Sequence, residues 1–319
     1  MRPPPFASTG GGRVRLQLRV PIAQQGRAKT CAVLTLDNGA KRNALSPRMM
    51  AELGDAVTAI REHLHSDVGD TCVAVVLTGA HGTFCSGFDL SSSADDALLN
   101  PGFAGEMSLL MHENMLALHS LPLVSIAAVD GFALGGGAEL ASWCDFRVMS
   151  AGAKAGFLQT KMGVVTGWGG ATRLRHLMGT SRALRLLTSP RVLSAYEAYD
   201  LGFATHPSSI SMPSLVHSTA TSGVSHPPSH ESVTASAIDI VHRDIFERDW
   251  KDAYPAALRA MKRTLCGDAG LEGYLEGLRK SLANERQEFV QLWGAQDNVE
   301  AVKNALTPSA KSNKKGSNL

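Results

Sequence analysis

Three consecutive glycines, Gly135 to Gly137, stand between an apolar strand-like run and a glutamate, Glu139, in the segment from Ala127 to Asp145, AAVDGFALGGGAELASWCD. Glycines at such a junction let the backbone come close to a ligand and leave N–H groups at a helix start free to bind negative charge. An oxyanion suits them. Glu139 follows within one turn, close enough to act on whatever those groups hold. The same residues would also serve a tightly packed strand–helix crossover carrying a solvated glutamate. A second segment shifts the balance. From Cys72 to Leu90 the chain reads CVAVVLTGAHGTFCSGFDL, a buried-strand run followed by a polar turn and a Cys-Ser-Gly-Phe-Asp loop. Chemistry that builds negative charge on a carbonyl oxygen needs two preorganised N–H donors about 3 Å from it, commonly drawn from separate loops. This loop could supply the second donor.

These segments, together with Asn38-Gly39-Ala40-Lys41-Arg42-Asn43-Ala44-Leu45-Ser46 and Leu201-Gly202, resemble the crotonase superfamily, also called the enoyl-CoA hydratase/isomerase family, from about Leu34 to Ala204. The resemblance implies an α/β fold, a spiral of ββα units followed by helices that assemble homotrimers or homohexamers. It implies oxyanion-hole donors at the N–H groups of Phe88 and Gly136. The acyl-CoA groove would be lined by Lys41, Arg42, Ala44 and Leu45, by Ser86, Gly87, Asp89 and Leu90, and by Gly135. Glu139 takes the place of the first of two glutamates that hydratases use. Coenzyme A would arrive as part of the substrate, with no separate cofactor and no metal.

The second hydratase glutamate is missing. Its position falls on Gln159, and a glutamine exchanges no proton near neutral pH, so two-carboxylate addition of water loses a partner. Isomerases of the family depend on the same position. The run from Met162 to Leu174, MGVVTGWGGATRL, is similar to the branch of the family that contains ethylmalonyl-CoA decarboxylase, as are Asn284-Glu285-Arg286 and Leu292-Trp293-Gly294. Thr166, where that branch carries proline, and Phe88 are departures. Decarboxylation of a 2-carboxyacyl thioester needs the oxyanion hole and no base for the departing CO2. Trp168 would wall a dry pocket, or simply pack in the core. Glu139 would either be protonated and donate to the enolate carbon or hold the substrate carboxylate, or be ionised and repel that carboxylate. Burial beside an apolar pocket favours the protonated form. Two other classes stay open: a hydratase or isomerase in which Asp95, Asp96 or Glu106 replaces the missing carboxylate, and a non-catalytic relative that binds acyl-CoA. Lys161 reads as a surface lysine.

At 319 residues, with 44% hydrophobic content and a formal net charge of +2, the chain can bury a full core and has no dense basic stripe for nucleic acid. The cysteines, Cys31, Cys72, Cys85, Cys144 and Cys266, read as reduced core thiols. No run approaches the roughly 18 apolar residues that cross a bilayer. The Arg-biased start lacks acidic residues before Asp37, yet Arg13 to Val20 alternates as an edge strand pairing with Cys31 to Leu36. The terminal Ser-Asn-Leu lacks the basic middle residue of a peroxisomal signal, and the expected compartment is the cytosol.

The periodicity predicts strands at Cys72–Leu77, Leu123–Val129 and Phe146–Met149, and helices at Pro47–His63, Phe103–Leu118 and Arg173–Leu187. The domain reading is a disordered stretch over 1–12, a catalytic core over 13–204, a Ser/Pro/Thr-rich insertion over 205–236, a helical region over 237–305 and a disordered tail over 306–319. The insertion's histidines, His217, His226 and His230, carry no ligand spacing that fixes a metal site. Leu271, Leu275, Leu278 and Leu282 mark one packed helix face. Lys262 and Arg263 are either solvated charges or groups that approach the CoA phosphates.

Overall fold

The computed structural model describes residues 8–22, 28–66, 71–93, 100–206, 236–266 and 271–307. Most of the predicted insertion, the ends of the chain, and Asp95 and Asp96 lie outside the described residues. Strands β1 (Arg13–Pro21), β2 (Thr30–Asp37), β3 (Cys72–Gly79), β4 (Val124–Val129) and β6 (Phe146–Met149) form one sheet in the order β1-β2-β3-β4-β6. β1 pairs antiparallel with β2, with an irregularity between Gln17 and Val20, and the remaining neighbours are parallel. The expected hairpin and its edge position are therefore present. A smaller sheet joins β5 (Phe132–Leu134), β7 (Lys154–Gly156) and β8 (Leu193–Ser194).

Parallel strands covered on both faces read as unbroken apolar runs, and β3 does so because alternate side chains enter two different cores. Val75 and Leu77 face the larger core, built with helices α1 (Pro47–Leu64), α2 (Pro101–His119) and α3 (Gly136–Ser142). Ala74 and Val76 face a second core closed by α7 (Ala237–Ile240) and the π-helical run Val241–Asp249, which contributes Ile245 and Phe246. The helix expected over Arg173–Leu187 is two helices. α4 (Gly170–Met178) and α5 (Thr180–Thr188) are separated by Gly179, whose φ of +77° ends the first. After α6 (Ala195–Asp200), the C-terminal part comprises α7, α8 (Pro255–Cys266), α9 (Leu271–Leu292) and α10 (Gln296–Leu306). On α9 Leu278 and Leu282 are buried and Leu275 is partly so; the side chains of Leu271 and Cys266 lie outside the described residues.

Three loops leave the carboxyl ends of β2, β3 and the β4–β5 connection and lie side by side. Isolated parallel pairings join Leu45 to Phe88 and Cys85 to Ala133, so the loops continue the sheet as a short ladder. The first loop needs an unusual backbone, since Arg42 and Asn43 are both left-handed, at φ of 51° and 55°. Asn43 tolerates this and locks it. Its fully buried side chain accepts from Asn38 N–H at 2.9 Å and donates to the Ala80 and Thr83 carbonyls, each at 2.7 Å. Truncating it leaves several buried backbone groups unpaired, each costing about 1–3 kcal/mol. Asn43→Ala is expected to destabilise the fold by more than about 3 kcal/mol, measured by chemical denaturation, against near-neutrality for substitution of the exposed Arg42 by lysine.

Candidate active site

The ladder, the N-terminus of α3 and the C-terminal helices enclose a cavity of about 490 Å³. Gly87, at φ of +100°, sits where two loops touch: a Cβ there would lie 2.9 Å from the Leu134 carbonyl oxygen and 3.2 Å from the Gly136 nitrogen. Around Phe88 the ladder bonds run through its neighbours, Leu45 N–H donating to the Gly87 carbonyl and Asp89 N–H to the Leu45 carbonyl. Phe88 itself is left with its N–H directed away from Leu45. Gly136 opens α3, where the first N–H groups have no intrahelical partner. Neither N–H has a protein acceptor among the described residues. The Trp168 ring covers Gly136 so closely that a Cβ would come within 2.3 Å of it.

Glu139 is 2% exposed and is held by the turn that precedes α4. Its Oε2 accepts from Trp168 N–H at 2.8 Å and Gly170 N–H at 2.9 Å. Its Oε1 accepts from Gln159 Nε2 at 2.7 Å and more weakly from Gly167 N–H at 3.4 Å. The Trp143 indole fixes the same turn by donating to the Trp168 carbonyl at 3.0 Å. Burial, and secondarily the charge of Glu285, push the Glu139 carboxyl up to about 8, against the pull of its backbone donors.

Lys41, Arg42, Ala44, Ser86, Gly87, Asp89, Leu90, Gly135, Gln159 and Trp168 line this one cavity together with Glu139, Phe88 and Gly136. Leu45 does not. Its side chain is fully buried in the main core, because the ladder turns the backbone of that residue, and not its side chain, toward Phe88. Asp89 is buried and bonded to Lys41 Nζ at 2.7 Å. Burial alone would raise its carboxyl, but Lys41 and Ser91 outweigh that and hold it below the usual range. Glu106 and Lys161 are exposed and lie outside the cavity lining. Cys85 is a core thiol, pushed up to about 12 by burial. Lys262 neither reaches the cavity nor meets solvent: it is 5% exposed and bonded to both Asp145 carboxylate oxygens, at 2.5 and 2.6 Å. No group of three metal-binding side chains occurs among the described residues.

Sequence reasoning assigned no site role to Phe289, Trp293, Asn298 and Val302, which close the cavity from α9, the α9–α10 junction and α10. The Phe88 ring meets Trp293 edge-on at 5.7 Å and Phe103 at 6.0 Å. Asn298 ties α10 to the site by donating to the Met162 carbonyl at 2.7 Å. The available signal was the Leu292-Trp293-Gly294 similarity, with no chemistry attached to it.

Residues 26–218 match the enoyl-CoA hydratase/isomerase family. An ethylmalonyl-CoA decarboxylase of Rattus norvegicus is 33% identical over 285 residues, covering 88% of this chain and 82% of the relative. The chain belongs to the enoyl-CoA hydratase/isomerase family. A Mus musculus protein of the same name is 31% identical, over 85% of this chain and 73% of its own. The fold is shared with the crystal structure of enoyl-CoA hydratase from Bacillus halodurans, at a TM-score of 0.64 and 21% identity, covering 86% of this chain and 96% of that one. Within this family fold, Glu139 and Asp89 are the carboxylates that line the cavity among the described residues, and Asp89 is committed to Lys41.

A buried carboxyl that holds its proton makes stability fall with pH. Between its unfolded value near 4.5 and its folded value of about 8, Glu139 binds more protons in the native state than in the unfolded one. Wild-type protein is therefore expected to lose stability relative to Glu139→Gln as pH rises through that window, with a slope approaching about 1.4 kcal/mol per pH unit. Denaturation midpoints of both proteins across the window measure it, and parallel curves would exclude a proton held on Glu139.

Proposed function

We propose that this protein decarboxylates 2-carboxyacyl-CoA thioesters, ethylmalonyl-CoA and also methylmalonyl-CoA. The observation that carries the reading is a buried Glu139, its carboxyl pushed up by that burial, facing an apolar-walled cavity in which Gln159 stands where a second carboxylate would serve hydration. The names of the relatives agree with it.

In this reading the bond between Cα and the carboxylate breaks, CO2 leaves, and the electron pair passes onto Cα and the thioester oxygen. The charge that develops on that oxygen is met by the N–H groups of Phe88 and Gly136; losing one such donor typically costs about 2.7–4 kcal/mol of transition-state stabilisation. Trp168 keeps water from the departing carboxylate, whose loss is easier where its hydration is weak. Glu139 then gives its proton to Cα from Oε1, since Oε2 already accepts two backbone N–H groups. Gln159 holds that oxygen in place. Exposed Lys41 and Arg42 supply positive charge for the CoA phosphates.

Incubation of the purified protein with ethylmalonyl-CoA, methylmalonyl-CoA and crotonyl-CoA, followed by mass spectrometry, tests this directly. Loss of CO2 from the malonyl thioesters with crotonyl-CoA untouched is expected; addition of water to crotonyl-CoA, with the malonyl thioesters intact, would overturn the reading. Gln159→Glu adds a negative charge opposite a dicarboxylic substrate, and like charges in contact cost several kcal/mol. It is expected to reduce kcat/KM for ethylmalonyl-CoA by roughly 100-fold while leaving the affinity for butyryl-CoA within about twofold.

A further inference from the structure

Glu285 is absent from the cavity lining, yet it grips the turn that holds Glu139 from the opposite side. The segment from Thr166 to Thr172 divides its donors between two carboxylates. Trp168 and Gly170 give their N–H groups to Glu139. Thr172 gives Glu285 Oε2 its N–H at 2.8 Å and its hydroxyl at 2.7 Å, while the Thr166 hydroxyl donates to Oε1 at 2.5 Å and Ala171 N–H at 3.3 Å. The two glutamates are 2% and 7% exposed, and a Cβ on Gly170 would come within 2.7 Å of Glu139 Cγ. Neither carboxylate forms an ion pair among the described residues.

Their surroundings decide which one carries charge. Glu139 is the charged-type residue of α3 and faces an apolar cavity whose cations, Lys41 and Arg42, are on the first loop, with Lys41 bonded to Asp89. Glu285 opens on a separate groove lined by Arg175 of α4 and by Lys280 and Glu288 of α9. From α2 the turn meets Ser108, which donates to the Gly167 carbonyl, and His112, which burial and Arg286 keep neutral. Arg173 of α4 is directed to the Ser142 carbonyl. Burial pushes the Glu285 carboxyl up as it does that of Glu139, against the pull of its donors from Thr166, Thr172 and Ala171. Those donors, with Arg175 and Lys280 in the groove, favour the charge on Glu285, and that charge in turn raises Glu139 across one turn of backbone.

We propose that Glu285 is a positioning residue for Glu139: it fixes the back of the Thr166–Thr172 turn and stands a negative charge behind the Glu139 carboxyl, so that Glu139 holds its proton until the reacting carbon takes it. The inference rests on the reading of Glu139 as the group that serves the substrate. It extends the site to a residue that touches neither substrate nor cavity, and it gives Thr166 a task that a proline at that position could not perform.

Glu285→Gln keeps the size and removes the charge. The pH limb of kcat in which Glu139 loses its proton is expected to move down by roughly one unit, with butyryl-CoA affinity unchanged. An activity-free readout accompanies it. The pH window in which stability falls, obtained as the difference between Glu285→Gln and the Glu139→Gln/Glu285→Gln double variant, should move down by the same amount relative to the wild-type pair. Should Glu285→Gln fail to fold, Thr172→Val deletes one bond that favours charge on Glu285 and should move the limb the same way by less. A uniform loss of kcat with the limb and the stability window unmoved would overturn the proposal and leave Glu285 a packing residue. Wild-type protein inert toward the malonyl thioesters would overturn the decarboxylase reading alone, since the stability window still reports on Glu285.

Discussion

A carboxylate cannot be taken out of water without donors to replace the hydration it loses, and Glu139 obtains them from backbone N–H groups of the turn before α4. That requirement shapes much of the site. The turn must bring Trp168 and Gly170 to one oxygen, which leaves no room for a side chain at Gly170 and pins the Trp168 indole over Gly136. The Trp143 ring must then reach the Trp168 carbonyl from the far end of α3. The helix that presents Glu139 and the turn that receives it are thus braced against each other by hydrogen bonds at both ends, and the cavity wall is built from that brace.

The opposite wall obeys a different constraint. Its loops carry only short 3-10 turns, at Gly39–Lys41 and Leu90–Ser93, so they borrow the order of the sheet, extending it through single pairings at Leu45–Phe88 and Cys85–Ala133. A parallel ladder leaves every second residue with its N–H turned away from its neighbour, and at Phe88 that geometry points a free donor away from Leu45. The left-handed backbone at Arg42 and Asn43 is the cost of bending the first loop into register, and the buried Asn43 side chain offsets it. The α9–α10 junction then seals the cavity with Trp293 against Phe88.

How much of this was legible in the chain followed the range of the interactions. The glycine run, Glu139 and the Phe88 loop are local patterns, and the strand at Phe146–Met149 was readable to the residue even though Arg147 interrupts its apolar run; that guanidinium is buried and donates to the Phe203 and Cys144 carbonyls. The break at Gly179 was not, since the apolar period continues across it and only the positive φ reveals two helices. Leu45 was read as groove because its neighbours are, whereas the ladder sends its side chain inward. Glu285 was visible as part of a similar motif, but nothing local ties it to Thr166, 119 positions away. Lys262 fell between two readings, solvated or phosphate-facing, because its actual partner, Asp145, is 117 positions distant.

Three carboxylates, the buried Asp89 and Glu139 and the half-buried Asp145, show how the fold decides where a proton stays. Asp89 has Lys41 at 2.7 Å and Asp145 has Lys262 at 2.5 Å, and in both the cation overcomes the effect of burial and pulls the carboxyl below its ordinary range. Glu139 is no less well supplied with hydrogen bonds, yet it has no lysine or arginine within ion-pair distance among the described residues, and a second carboxylate lies behind its turn instead. Its carboxyl therefore moves the other way. At Glu139 burial acts first and the Glu285 charge adds to it, whereas at Asp89 and Asp145 a bonded lysine outweighs burial. Pairing Lys41 with Asp89 and Lys262 with Asp145, and directing Arg173 to the Ser142 carbonyl at the far end of α3, leaves one acid with no cation partner facing an apolar-walled cavity.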